Sequence, residues 1–257
     1  MFNPGFDIKI DIDNMNFDYG ETSFGPITEK RKLDDIRKSL SNPGAKGPEI
    51  VYSVAMDVGK RRDREDLVQR NLLYGAMIFA KGQVGNEPIR SQGHVHAISA
   101  SCQASTPEVY EIWSGEAIVY MQEYDKDDPG RCMAVKAKAG DLVIVPPGWA
   151  HSTINANPQY EMTFGAWCVR DYGFDYGGVR AHGGLAYFPI IDNGEIVFIK
   201  NLQYQAANLI IKEAREYKEF NIKRGIPIYT QYETNHESFE FVYNPKVAEE
   251  LWLNYTP

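Results

Sequence analysis

The sequence predicts an all-β fold, a barrel or sandwich, with mixed extensions at both ends. Three observations carry this. From Ser91 to about Arg180 the chain runs through short segments rich in β-branched and aromatic residues: "VYEIWSG", "AIVYMQEY", "CMAVKA", "DLVIVPP", "STINA" and "YEMTFGAWCV". Glycine, proline and acidic turns separate them at fairly regular spacing. Outside that stretch the pattern changes character, and no internal repeat or low-complexity linker divides the chain. The expectation is one domain over residues 1–257, with an N-terminal extension to residue 50, a barrel core over 51–200 and a C-terminal extension over 201–257.

Taken in order, Phe6, Ile8, Ile10 and Ile12 alternate on one face, a period-2 strand signal. "TEKRKLDDIRKSLSN" predicts a solvated helix from near Thr28 to the "NPGAKG" turn. "EIVYSVAMDV" predicts a strand, "GKRRDREDLVQR" an exposed loop, and "NLLYGAMIFAKGQVGNEPIR" a strand and turn. After the β-rich stretch, "LAYFPII" and "EIVFIKN" form two strands around "DNGE". In the tail, "NLIIKEAREYKEFNIKRG" predicts a helix, and "NPKVAEELWLNY" a further short one.

Composition narrows the function classes. With 257 residues the chain buries a sizeable core, and 43% apolar and 24% charged residues are ordinary for a soluble globular protein. A net charge of −8 argues against nucleic acid and anionic membrane as partners. Cys102, Cys132 and Cys168 have no C-x-x-C spacing, which suits free thiols in a reducing compartment. The start, "MFNPGFDIKIDIDN", has no basic stretch followed by an apolar run, and no window reaches the ~20 apolar residues that span a bilayer. A cytoplasmic location is expected.

The chemistry lies in "GHVHAISASCQASTPEVYEIWSG" and "GDLVIVPPGWAHSTIN". Side chains at i and i+2 of a strand share a face, so His94 and His96 point the same way, as do Glu108 and Tyr110. The segment between His96 and Glu108, rich in Ser, Ala and Thr and closed by Pro107, is long enough to loop the acid back beside the histidines. The Pro146-Pro147-Gly148 turn then returns the chain to a strand on which His151, Thr153 and Asn155 share one face. Three imidazoles and a carboxylate suit Fe2+, Mn2+, Ni2+, Co2+ or Zn2+, whereas Ca2+ and Mg2+ prefer all-oxygen shells. Glu111 is the rival to Glu108 and lies on the opposite face of a regular strand. His182 and His236 fall outside the constellation.

These two motifs resemble those of the cupin family. Its second motif, G-x5-P-x-G-x2-H-x3-N, is matched by Gly140, Pro146, Gly148, His151 and Asn155. Its first is matched by His94, His96, Glu108 and Gly115, with a longer loop before the glutamate. The resemblance implies a double-stranded β-helix, or jelly-roll barrel, around a divalent transition metal (Fe2+, Mn2+, Ni2+ or Zn2+) held by His94, His96, Glu108 and His151. The blocks "GQVGNEPIRSQGHVHA", "EVYEIWSGEAIVYMQ", "GDLVIVPPGWAHSTIN" and "DYGFDYGG" together resemble the cupin-type phosphoglucose isomerases, over residues 6–190. That narrower resemblance implies interconversion of glucose 6-phosphate and fructose 6-phosphate. It places Ser91 and Gly93 at the substrate phosphate and Tyr176 beside the sugar. For the hydrogen transfer two routes stay open: Glu108, the one acid the motif puts at the metal, as general base, or a metal-assisted hydride shift that needs no base. Arg90 and Lys81 are this chain's own basic candidates for a phosphorylated sugar. The sequence departs from that family at Ser152, at Phe174 and at Trp167 or Cys168, where the family has an arginine, a histidine and a tyrosine.

Two other readings stay open at this level. A cupin dioxygenase of the acireductone type uses the same donor set, and a non-enzymatic sugar-binding cupin keeps the fold without the chemistry. A homodimer is expected, with "FDIKIDID" as an edge strand available for exchange.

Overall fold

The computed structural model describes all residues 1–257. Its strands are, in chain order, β1 (Ile8–Asp11), β2 (Asn16–Tyr19), β3 (Ser23–Phe24), β4 (Glu29–Lys32), β5 (Ile50–Lys60), β6 (Leu72–Phe79), β7 (Gln83–Val84), β8 (Glu87–Pro88), β9 (Val95–His96) and β10 (Glu108–Ser114). They continue with β11 (Glu116–Gln122), β12 (Cys132–Lys138), β13 (Leu142–Val145), β14 (Ala150–Asn155), β15 (Met162–Val169), β16 (Phe174–Asp175), β17 (Tyr187–Asp192), β18 (Glu195–Lys200) and β19 (Leu209–Glu213).

Two sheets form the jelly roll. One is seven-stranded in the order β13-β10-β15-β6-β5-β3, with β4 also pairing β5. The other is four-stranded in the order β14-β11-β12-β19. The side chains between them alternate out of facing strands. Tyr110 and Ile112 of β10 and Met77 and Phe79 of β6 meet Val119 and Met121 of β11 and Met133 and Val135 of β12 in one buried cluster.

An antiparallel sheet commonly leaves one face to water, yet every residue of β6 and β15 is buried. The reason is that both termini fold back over the outer face of the large sheet. Tyr74, Val109, Trp113 and Trp167 on that face pack with Phe6 and with Tyr229, Tyr232 and Phe239 of the tail. Trp167 stacks on Tyr229 at 5.2 Å between ring centroids and meets Tyr74 edge-on at 4.6 Å. The hairpin of β17 and β18 covers the outer face of the small sheet, where Ile118, Tyr120 and Ala134 meet Leu185, Tyr187 and Tyr204.

Three local expectations are corrected. Residues 29–32 are strand β4 instead of a helical turn, because the β5 edge takes them as a partner, and the helix shrinks to Leu33–Ile36. "GKRRDREDLVQR" holds a helix at Arg64–Gln69, whose Leu67 is fully buried. "NLIIKE" is β19, running parallel to β12, so the small sheet extends past residue 200. Tertiary pairing overrides local propensity in the two strands. The predicted N-terminal strand is β1, which pairs with β2 in a hairpin. No helix is long and apolar enough to cross a membrane.

Candidate metal centre

His94 and His151 are cross-strand neighbours, each backbone N–H donating to the other's carbonyl at 3.1 and 2.9 Å. The turn before His151 explains its placement. Trp149 N–H donates to Pro146 O at 3.4 Å, and Gly148 takes φ +79°, as the third position of a type II turn after Pro147 requires. The loop between His96 and Glu108 folds onto itself through paired Ser99 and Ala104 and is clamped by Asp171, whose carboxylate accepts from Ser99 Oγ at 2.8 Å and Ser101 N–H at 2.9 Å. Its returning leg then grips His96. Ser105 Oγ donates to His96 O at 2.7 Å and accepts from Gly148 N–H at 2.9 Å, tying the two histidine segments together.

One donor atom each from His94, His96, Glu108 and His151 lies within 4.8 Å of the other three. Backbone carbonyls set the tautomers: His96 Nδ1 donates to Thr106 O at 2.8 Å and His151 Nδ1 to Trp149 O at 3.1 Å. That leaves each Nε2 as a bare acceptor facing Glu108 Oε2, at 3.3 Å for His96 and 3.5 Å for His151. Burial, then the His151 and His96 rings, drives His94 well below its ordinary range, and burial lowers His151 too, so both are neutral at pH 7. Burial pushes the Glu108 carboxyl upward, but the close His151 and His96 rings outweigh it, and the group lies below the ordinary carboxylate range. Tyr110 Oη donates to Glu108 Oε2 at 2.7 Å.

Acceptors converging on acceptors without a proton between them are unfavourable unless a cation joins them. The buried Nε2 atoms of His94 and His151 indeed find no hydrogen-bond partner. The donor set therefore fits a divalent transition ion, and the group can hold one.

His94 and Glu108 of the cluster line a pocket of about 180 Å³, shared with Ser91, Thr153, Tyr176 and an apolar wall that includes Met77, Phe164 and Phe174. Phe174, paired with His96 across the β9–β16 ladder, sits 4.4 Å from the His94 ring between centroids. Of the residues expected near substrate, Ser91 and Tyr176 line the pocket, and Gly93 flanks it. Gly93 has φ +89°, a backbone conformation that strains any side chain, and a Cβ there would also crowd Leu185 at 2.9 Å. Arg90 is buried and neutralised by Glu87 at 2.7 Å, and Lys81 is exposed and paired with Glu161. Neither faces the pocket. Glu111 points to the opposite side of β10, and His182 and His236 lie elsewhere, beside Asp127 and Asp66. Sequence reasoning missed Glu29, Arg31, Tyr52 and Gln92, which also line the pocket. An i, i+2 reading of "EKR" as strand would have put the first two on one face.

The family model described as "Glucose-6-phosphate isomerase (GPI)" matches residues 37–207. Among curated proteins, glucose-6-phosphate isomerase of Thermococcus litoralis is 24% identical over 200 residues, covering 78% of this chain and 96% of that protein. The same-named protein of Thermococcus onnurineus is 26% identical over 206 residues, covering 77% and 96%. Among solved structures, an oxalate oxidase overlaps 49% of this chain and 54% of its own at 15% identity and a TM-score of 0.37.

Proposed function

This chain belongs to the glucose-6-phosphate isomerase family, and we propose that it interconverts glucose 6-phosphate and fructose 6-phosphate in the pocket over His94, His96, Glu108 and His151. The observation that carries the reading is the convergence of four metal-binding side chains, two of them lining a pocket, in a chain of this family.

The isomerisation moves one hydrogen between C1 and C2 while carbonyl and hydroxyl exchange places, so no co-reactant is consumed. A divalent Fe2+, Mn2+, Ni2+ or Zn2+ held by the four side chains would polarise the sugar carbonyl oxygen as a Lewis acid. Glu108 offers one carboxylate oxygen to the ion, and the other oxygen is the base that takes the proton from one carbon and returns it to the next. Tyr110 holds Glu108 through its hydroxyl and so fixes the direction in which the carboxylate points. Thr153 and Tyr176 offer hydroxyls to the sugar chain, while the Ser91 hydroxyl and the bare backbone of Gly93 serve its phosphate end. Phe174 and Phe164 exclude water from the reacting carbons.

A coupled assay on metal-stripped and metal-restored protein tests this. Turnover of glucose 6-phosphate is expected to vanish with the metal and return with it, and with fructose 6-phosphate as substrate in D2O deuterium is expected at C2 of the aldose product. Full turnover of stripped protein would remove the metal from the reading, and solvent deuterium in the product would exclude a hydride passed directly between the two carbons.

Assembly as a homodimer belongs to the same proposal. β19 forms the open edge of the small sheet, with Ile210 and Ile211 exposed, which is the kind of edge a second copy covers. Light scattering is expected to give twice the 29.1 kDa chain mass, and a monomer mass would end this part.

A further inference from the structure

The pocket carries a single cationic side chain, Arg31, beside two acids, Glu29 and Glu108. Glu29 and Arg31 stand two residues apart on β4 and so share a face, opposite Val54 and Tyr52 of β5, which also line the pocket. Their ion pair is 2.9 Å long, with the Arg31 side chain 32% exposed and Glu29 60% exposed. At the mouth, a shallower hollow shares Arg31, Gln92 and Tyr176 with the pocket and adds Asp34, Asp35, Lys38 and Arg180. Arg180 lies over the Tyr176 ring at 4.7 Å and donates to Gln92 Oε1 at 3.0 Å. The two aspartates are engaged elsewhere, Asp34 with Arg37 and Asp35 with Lys32 N–H. Lys38 and Arg180 have no acidic partner within ion-pair distance.

A hexose phosphate with C1 and C2 against the four-residue cluster carries its phosphate at the far end of its carbon chain, toward this mouth. A guanidinium suits that group, because its fork binds phosphate bidentately. Resting on the sugar-phosphate reading above, we propose that Arg31 receives the substrate phosphate at the pocket mouth, with Arg180 as the second cation. Glu29 occupies the Arg31 guanidinium until the phosphate displaces it. Strand β4, which pairs with β5, thus supplies the phosphate contact.

The variants Arg31→Gln, Arg31→Lys, Glu29→Gln and Lys81→Gln separate the possibilities, read as KM and kcat for glucose 6-phosphate and as Kd for inorganic phosphate by titration calorimetry on metal-loaded protein. Arg31→Gln is expected to raise KM and the phosphate Kd roughly 10- to 100-fold, the loss of a charge-assisted contact, with kcat within about threefold. Arg31→Lys falls between, keeping charge without the fork. Glu29→Gln shifts binding the other way, tightening phosphate by roughly two- to fivefold, because the competing carboxylate is gone. Lys81→Gln leaves all three values unchanged. An unchanged KM and phosphate Kd in Arg31→Gln overturn the inference, as does weaker binding in Glu29→Gln. Should wild-type protein bind phosphate through Arg31 yet fail to turn over glucose 6-phosphate, the activity reading falls and the anion site stands.

Discussion

Strand β10 carries two glutamates three residues apart, and the strand's alternation sends them into different surroundings. Glu108 faces the space between the sheets and Glu111 the tail-covered outer face. Both are almost completely enclosed, at 7% and 0% exposure. Their protons nevertheless behave in opposite ways. Glu108, met by two imidazoles and the Tyr110 hydroxyl, stays ionised. Burial pushes Glu111 up to about 8, although it accepts from Ile228 N–H at 2.8 Å and Trp113 Nε1 at 3.2 Å. Burial alone favours the neutral acid, and only nearby cations or donors reverse it. One carboxylate is thereby kept as a charged ligand and the other as a protonated tie between the core sheet and the tail.

The larger test of this contrast is Glu108→Gln, which keeps the shape and removes the charge. Activity at saturating metal is expected to fall by about 10²- to 10⁴-fold, the range of a lost general base, with weaker metal retention. Near-wild-type turnover would make the pocket-facing carboxylate a structural group like its neighbour. The smaller test is Glu111→Gln, read as unfolding free energy against pH. The unfolded carboxyl releases its proton near 4.5 and the folded one near 8, so the native state holds one more proton through that window. Stability therefore falls as pH rises between those values, by at most ~1.4 kcal/mol per pH unit from this group. Glu111→Gln is expected to flatten that slope. A slope unchanged by the substitution would mean that Glu111 is ionised in the folded protein and that the contrast on β10 is one of position only.

The position of the candidate site was legible because its signals are local. H-x-H on an extended segment, a loop of sufficient length before Glu108, and the Pro-Pro-Gly turn before His151 are properties of neighbouring residues. The convergence of all four groups in the structure follows from them. The same local logic put Glu111 on the other face. It failed for "EKRK" and "NLIIKE", whose sequences permit helix and whose partners, β5 and β12, lie far along the chain. It also offered Arg90 and Lys81 as phosphate contacts, since a cation near a motif looks available until Glu87 and Glu161 are seen to hold it.

By itself, then, the sequence determined strand periodicity, turn chemistry and the schedule of metal-ligating side chains, all of which depend on bond geometry over a few residues. The tertiary structure alone decided that β4 turns Arg31 toward the pocket, that β19 extends the small sheet, and that the tail closes over Glu111. Those outcomes rest on pairing and burial between distant segments, whose free energy exists only once the whole chain has come together.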